Sequence, residues 1–154
     1  MNFTIRNATP ADASIIARYN SQIAEETEDG PLDPAIIGPG VEKILANSEL
    51  GRYWVAEADG QVIGQIMVTF EWSDWRDGMM WWIQSVYVAA SRRRTGVFSA
   101  LYRHVEALAR KEPDVAGIRL YVEKNNQRAQ RTYDKLGMSM TDYRIMQVEF
   151  ERQG

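Results

Sequence analysis

Apolar positions along the chain recur with two different periods, and each change of period marks a new element. Phe3–Ala8 alternates and predicts a short strand. Ile15, Ile16, Tyr19 and Ile23 then fall on one face of a helix. Ahead of them, Thr9-Pro10-Ala11-Asp12 reads as a helix start: Thr9 as cap, Pro10 in the first turn, Asp12 three residues after the cap. The acidic stretch Glu25–Pro31 ends this helix and opens a loop, and a second, short helix is expected over Val41–Ala46. Strand periodicity returns at Tyr53–Ala58. Asp59-Gly60 follows as a hairpin signal, and the next strand sets Val62, Ile66, Val68 and Phe70 on one face against Gln61, Gln65 and Thr69 on the other. Gly64 inside it marks a bulge. Ser73–Gly78 reads as a polar turn, and Met79–Ala89 as a long strand containing Trp81, Trp82, Ile83, Val86 and Val88.

Helical spacing resumes with Val97, Leu101, Val105 and Leu108, in a helix that stops before Pro113. Ile118–Val122 predicts a compact buried strand. Asn126 opens a further helix that Gly137 closes as a left-handed cap. Tyr143–Phe150 predicts a last strand, with Met146, Val148 and Phe150 turned inward. The expected order is βααβββαβαβ, a mixed α/β fold with antiparallel hairpins first and a βαβ crossover in the middle. With no repeat, linker or low-complexity tract in 154 residues, the chain reads as a single domain over 1–154.

Composition narrows the chemistry. There is no cysteine, which excludes disulfides, a thiolate nucleophile and Cys-ligated metal, and suits a cytoplasmic location. No apolar run approaches a membrane span, and an N-terminus carrying Arg6 and Asp12 does not read as a signal peptide. The net charge of −3 exerts no general pull on nucleic acid, but its distribution is uneven. Residues 1–91 carry 5 basic side chains against 13 acidic, and residues 92–135 carry 11 against 5. A basic segment within an acidic protein fits either a polyanionic ligand bound at one place or a solvated basic face.

Two segments carry candidate chemistry. In the first, a strand runs into Ser91-Arg92-Arg93-Arg94-Thr95-Gly96 and a helix starts near Val97. Backbone N–H groups and the positive end of the helix gather there, as a phosphate requires, and Gly96 permits close backbone approach. Neither GxxxxGK[ST] nor GxGxxG is present, and a plain strand-to-helix turn with a basic surface remains an equal reading. The second segment is the helix capped by Asn126, with Tyr133 two turns in. Taken alone, that tyrosine reads as a packing residue.

Together the segments resemble the GCN5-related N-acetyltransferase (GNAT) family. The family's Q/R-x-x-G-x-G/A motif is matched by Arg93-Arg94-Thr95-Gly96-Val97, with Phe98 in the last place. Its N-x-x-A-x-x-x-Y-x-K-x-G-F motif is matched by Asn126, Ala129, Tyr133, Lys135 and Gly137, with Met138 replacing the aromatic. One helix and one strand separate the motifs, as in the family. The resemblance implies acetyl-CoA as acyl donor, with its pyrophosphate on the backbone N–H groups of Arg94, Thr95, Gly96, Val97, Phe98 and Ser99. It implies a pantetheine arm paired like a strand with Val86, Tyr87 and Val88, and Asn126 against that arm. Phe98, where Gly or Ala is usual, is expected to reshape the loop.

The implied reaction is direct attack of a neutral primary amine on the thioester within a ternary complex, without metal. A backbone N–H near Val86–Tyr87 is the expected oxyanion donor, and Tyr133 the general acid. For the base, Glu71, Asp74 and Asp77 are candidates. Glu71 is preferred, and Gln84 is excluded by its chemistry. His104 reads as a packing or surface residue. The acidic first portion, with Glu25, Glu26, Glu28 and Asp29 clustered, favours a cationic amine of a small molecule or peptide. Trp72, Trp75, Trp81 and Trp82 could offer faces to an ammonium, or serve as core and dimer contacts. The exposed aromatics permit a homodimer. A non-catalytic acyl-CoA-binding regulatory module is the alternative. A nucleic-acid module built on Arg92–Arg94 is disfavoured by the acidic remainder.

Overall fold

A computed structural model of the protein describes residues 2–27 and 30–152. Two compact units make up the chain, Met1–Tyr121 and Val122–Gly154. The first unit holds a five-stranded sheet of strands β1 (Thr4–Asn7), β2 (Arg52–Ala58), β3 (Gln61–Ser73), β4 (Gly78–Val88) and β5 (Val115–Leu120), ordered β1-β2-β3-β4-β5. The first four pair antiparallel, while β5 runs parallel to β4 across the crossover helix α3 (Val97–Lys111). This is the mixed α/β architecture expected from the sequence, element for element through the second helix motif.

The start of helix α1 (Ala13–Thr27) is fixed by a carboxylate. A single 3-10 turn, Pro10–Asp12, precedes it, and Asp12 Oδ2 accepts from the Thr9 backbone N–H at 2.7 Å. Arg6 on β1 donates to both Asp12 oxygens, at 2.8 and 3.0 Å, and through Nε to Glu57 of β2 at 3.1 Å. One guanidinium thus fastens β1, the helix entry and β2 together. Helix α2 (Pro34–Ala46) begins seven residues earlier than expected at Val41. Gly38-Pro39-Gly40 reads as a break, but Asp33 caps the backbone N–H of Ala35 at 2.9 Å with Pro34 in the first turn. Pro39 sits inside the helix at the loss of one backbone bond. Glu28 and Asp29 of the acidic cluster lie outside the described residues.

Helices cover both faces of the sheet. On one face Ile16 of α1 and Val41 of α2 bury against Tyr53 and Val55 of β2. On the other, α3 lies so close that a Cβ at Gly64 would stand 3.1 Å from Val97 Cγ1 and 3.3 Å from Leu101 Cδ1. His104 of α3 meets the Trp54 ring edge-on at 6.3 Å, a packing role, and burial lowers its pKa. Cover on both sides also buries the face of β3 that carries Gln65. Gln65 is fully buried beneath α1, donating to Asn20 Oδ1 at 3.2 Å and to the Ile16 carbonyl at 3.4 Å. The register shift between Ala56 and Glu57 of β2 places the expected bulge beside Gly64. β5 lies three residues before its expected start and is half-buried along most of its length. No described helix is long and apolar enough to cross a membrane.

The second unit holds helix α4 (Gln127–Lys135). The last expected strand, Tyr143–Phe150, is not formed: the segment has no ladder partner, and Met146, Val148 and Phe150 are exposed instead of turned inward. Alternation is necessary for a half-buried strand, but a strand also needs a neighbour to accept its hydrogen bonds. This unit holds none among its described residues.

Two outcomes follow. Gly64→Val drives a branched side chain into α3 and the Tyr87 carbonyl (3.1 Å from even a bare Cβ), and is expected to lower stability by about 1–3 kcal/mol in thermal unfolding. Arg6 holds the Asp12 carboxyl below its ordinary pKa. Its contribution is therefore present above the unfolded-state value of about 3.9 and lost as pH falls through the lower folded value. Urea midpoints measured from pH 6 down to 2 should flatten in Asp12→Asn.

Candidate functional site

β3 and β4 pair regularly from Gly64↔Val88 to Met67↔Ser85, then jump to Val68↔Ile83. Gln84 therefore has no counterpart on β3 and forms a bulge. Bulges bend the strand that carries them. On the other side of β4, pairing with β5 stops one residue earlier, at Ile83↔Leu120. From Gln84 to Val88, β4 pairs with no strand but β3 among the described residues, so its β5-facing edge carries no ladder there. A strand paired on one side only presents alternate N–H and C=O groups along the other. Val86, Tyr87 and Val88 all lie on this open stretch. The Gln84 side chain is exposed, its Nε2 donating to Thr69 Oγ1 at 2.9 Å.

The open stretch leads straight into the basic loop. Ala89 N–H still bonds to the Ile63 carbonyl at 2.8 Å, and Ala90–Arg92 make one 3-10 turn. Arg94 and Gly96 both adopt left-handed backbone, at φ 65° and 89°. Thr95 Oγ1 donates to the Arg92 carbonyl, bracing the turn. Gly96 caps α3, whose first i→i−4 bond runs from Ala100 to the Gly96 carbonyl at 3.0 Å. N–H groups ahead of that bond have no acceptor inside the helix, and they carry its positive end. Phe98, in this first turn, is half-buried, and Thr95 and Ser99 are exposed. Loop and helix end thus gather backbone donors shortly beyond the end of β4 in the chain.

The three arginines are not equivalent. The Arg93 side chain is fully engaged: Nε donates to the Val88 carbonyl at 3.0 Å, and Nη2 to the two Glu26 oxygens at 2.9 and 3.0 Å. Its guanidinium lies over the Tyr87 ring, 5.3 Å from the centroid. Tyr87 in turn donates to Gln22 Oε1 at 3.0 Å and packs 5.0 Å from Tyr19, whose hydroxyl bonds the Val62 carbonyl. Burial, and secondarily the Glu26 carboxylate, raise the Tyr87 pKa.

Glu71 is not brought to this edge. It pairs across from Met80, six residues along β4 from Val86, or about 20 Å at strand spacing. Its Oε1 accepts from Arg119 of β5 at 3.2 Å. Arg119 also lies 5.9 Å from the Trp82 ring, and Trp82 packs on Tyr121 at 4.6 Å. Trp81 is core, whereas Trp72 and Trp75 are exposed. Asp74 and Asp77 sit in the turn after β3. In the second unit, Asn126 Oδ1 caps the Ala129 N–H of α4 at 3.1 Å. Tyr133 is half-buried in the last turns, with its carbonyl accepting from Met138 N–H at 3.0 Å. Gly137 closes the helix at φ 101°, the left-handed cap expected there. Sequence reading missed the Gln84 bulge, the Glu26–Arg93 pair and the Glu71–Arg119 pair. A polar Gln84-Ser85 interrupting an apolar strand was the available sign of the bulge. Among the described residues, no group of three His, Cys, Asp or Glu could hold a metal ion.

The Acetyltransferase (GNAT) family model matches residues 16–138. A structure described as a possible acetyltransferase from Clostridium difficile 630 is similar at 39% identity and TM-score 0.92, over 99% of this chain and 100% of that one. An aminoglycoside N-acetyltransferase in complex with CoA shares the fold at 17% identity and TM-score 0.79, over 96% and 95% of the two chains. An aminoglycoside acetyltransferase from an uncultured soil metagenomic sample, in complex with sisomicin, does so at 12% identity and TM-score 0.75, over 97% of each. No curated protein matches the chain.

Replacing Gly96 tests the loop geometry. At φ 89° a Cβ is strained although it would touch nothing within 4 Å. Gly96→Ala is therefore expected to lower stability by about 1–2 kcal/mol in urea titration, purely through the backbone.

Proposed function

The chain belongs to the GNAT acetyltransferase family, and we propose that within it this protein transfers an acetyl group from acetyl-CoA to a primary amine by direct attack in a ternary complex. The observation that supports this most is the open edge of β4 from Gln84 to Val88, leading without interruption to the donors of the 94–99 loop. An extended amide-bearing arm ending in a pyrophosphate matches that sequence of groups in order. Acetyl-CoA, when bound, supplies a thioester carbonyl open to attack.

In this reading the backbone of Val86 and the N–H of Val88 pair with the arm, the Val88 carbonyl being held by Arg93, and the N–H groups of residues 94–99 hold the phosphates against the positive helix end. A backbone N–H near Val86–Tyr87 stabilises the charge that develops on the carbonyl oxygen. Asn126 contacts the arm, and Tyr133 protonates the departing thiolate. A tyrosine near pKa 10 keeps its proton at neutral pH; a free thiolate, whose thiol titrates near about 8.5, is the weaker base, so the proton passes as the C–S bond breaks and the tetrahedral intermediate collapses to the amide. Glu71, held by Arg119, is too far along the sheet for direct proton transfer at Val86 and acts on the amine through intervening water. The acidic first portion, with Glu25 among its carboxylates, draws a cationic acceptor, a small molecule or a peptide amine.

The pairing of Glu71 with Arg119 and the bulk of Phe98 support a second reading, an acyl-CoA-binding module without transfer. Calorimetric titration with acetyl-CoA and then CoA is the first test. Saturable binding is expected, and its absence overturns both readings. Thiol release over an amine panel separates the two. Tyr133→Phe is expected to lower kcat about a hundredfold or more with little change in acetyl-CoA affinity. Glu71→Gln should lower kcat/KM for the amine by less than about tenfold. A hundredfold loss together with a vanished acidic limb in the pH–rate profile would make Glu71 the direct base.

A further inference from the structure

The Glu26–Arg93 pair joins parts of the chain 67 residues apart and sits in an unusual place. Glu26 occupies the last turn of α1, where the helix end is negative and a carboxylate is disfavoured. Both side chains are nearly half exposed, at 45% and 43%, so the pair adds little to stability. Its geometry is nevertheless specific. One nitrogen reaches both carboxylate oxygens, Nε of the same guanidinium takes the carbonyl of the last β4 residue, and its plane covers Tyr87. Tyr19, Gln22 and Glu26 lie along one stripe of α1, and all three engage this end of the sheet.

We propose that Glu26 and Arg93 form a positioning clamp that ties the last turn of α1 to the end of β4 and presets the 94–99 loop for its phosphate ligand. The inference rests on the acetyl-CoA reading of that loop. Neither side chain touches the ligand. Arg93 carries the first position of the basic loop, so its side-chain bonds to Val88 and Glu26 set where Arg94 turns left-handed and where α3 begins. The opposite arrangement would make Arg93 a phosphate ligand parked on Glu26, to be released on binding. The two differ in sign. Removing Glu26 loosens a clamp and weakens binding, but frees a parked arginine and strengthens it.

The test compares wild type, Glu26→Gln, Arg93→Lys and the double variant, by acetyl-CoA titration and by backbone amide exchange over residues 92–100. Expected is a threefold to fivefold (roughly) weaker Kd in Glu26→Gln, consistent with an exposed pair. Arg93→Lys should weaken binding at least as much, because lysine keeps the charge but cannot fork to Glu26 and Val88 together. The double variant should be no worse than the weaker single one, with faster loop exchange in all three. Tighter or unchanged binding in Glu26→Gln, or full retention in Arg93→Lys, overturns the clamp. So does unchanged amide exchange, which is read without ligand. Absence of acetyl-CoA binding in the wild type would instead overturn the function reading, leaving the exchange arm to decide the clamp.

Discussion

One extra residue in β4 governs the arrangement of the site. With Gln84 unmatched on β3, the strand bends, and its pairing with β5 ends at Ile83. Each backbone hydrogen bond contributes about 0.5–1.5 kcal/mol net, so an interior strand left half-paired over its last five residues forgoes stabilisation that a regular β4–β5 ladder would retain. The rest of the unit is built around that opening. Gly64, opposite Val88, removes the side chain that would hold α3 away, and α3 can then begin directly beyond the end of β4. The half-paired end of β4 and the helix-end donors are therefore close in sequence, eight residues of loop apart.

Charge is organised on the same scale. The Arg92–Arg94 run reads as undifferentiated positive charge, but the fold gives its members different work. Arg93 is committed to Val88, Glu26 and Tyr87, whereas Arg94 contributes a left-handed backbone. The positive field of the loop is thus partly cancelled by the acidic end of α1, and at the α3 terminus backbone N–H groups fixed in direction add to the charge of the remaining arginines. Fixed dipoles need no reorganisation when a phosphate arrives, unlike long mobile side chains.

Local signals were legible where a single residue type decides the backbone. Asp59-Gly60 turns at positive φ at both residues, Asn126 and Gly137 bracket α4, and Gly96 caps α3. The order of elements followed from the two periods. What escaped was set by partners distant in the chain. Gln65 looks like a solvent-facing polar residue until α1 covers it. The start of α2 was hidden by Gly38-Pro39-Gly40, because a helix fixed by its Asp33 cap and by Val41 in the core tolerates an internal proline. Alternation over Tyr143–Phe150 is written as clearly as in β2, yet a strand is a property of a pair. Glu26 reads as part of an acidic cluster and Arg93 as the first position of a loop motif, and nothing local announces a bond between them across 67 residues.

Neutralising Glu26 matters for the proposed chemistry in a way that its small stability contribution does not convey. Attack on a thioester requires the amine without its proton, and a negative field that attracts an ammonium also stabilises that proton. Acidic groups therefore assist acceptor capture and oppose acceptor activation. The two demands are compatible only if unpaired negative charge stays away from the reacting carbonyl. Glu26, the acidic residue tied to the end of β4, is matched by Arg93, and Glu71 is matched by Arg119. Both pairs leave the strand end lined by apolar Val86 and Val88, where desolvation favours the neutral amine. Glu25, for which no ion pair is seen among the described residues, sits on the last turns of α1.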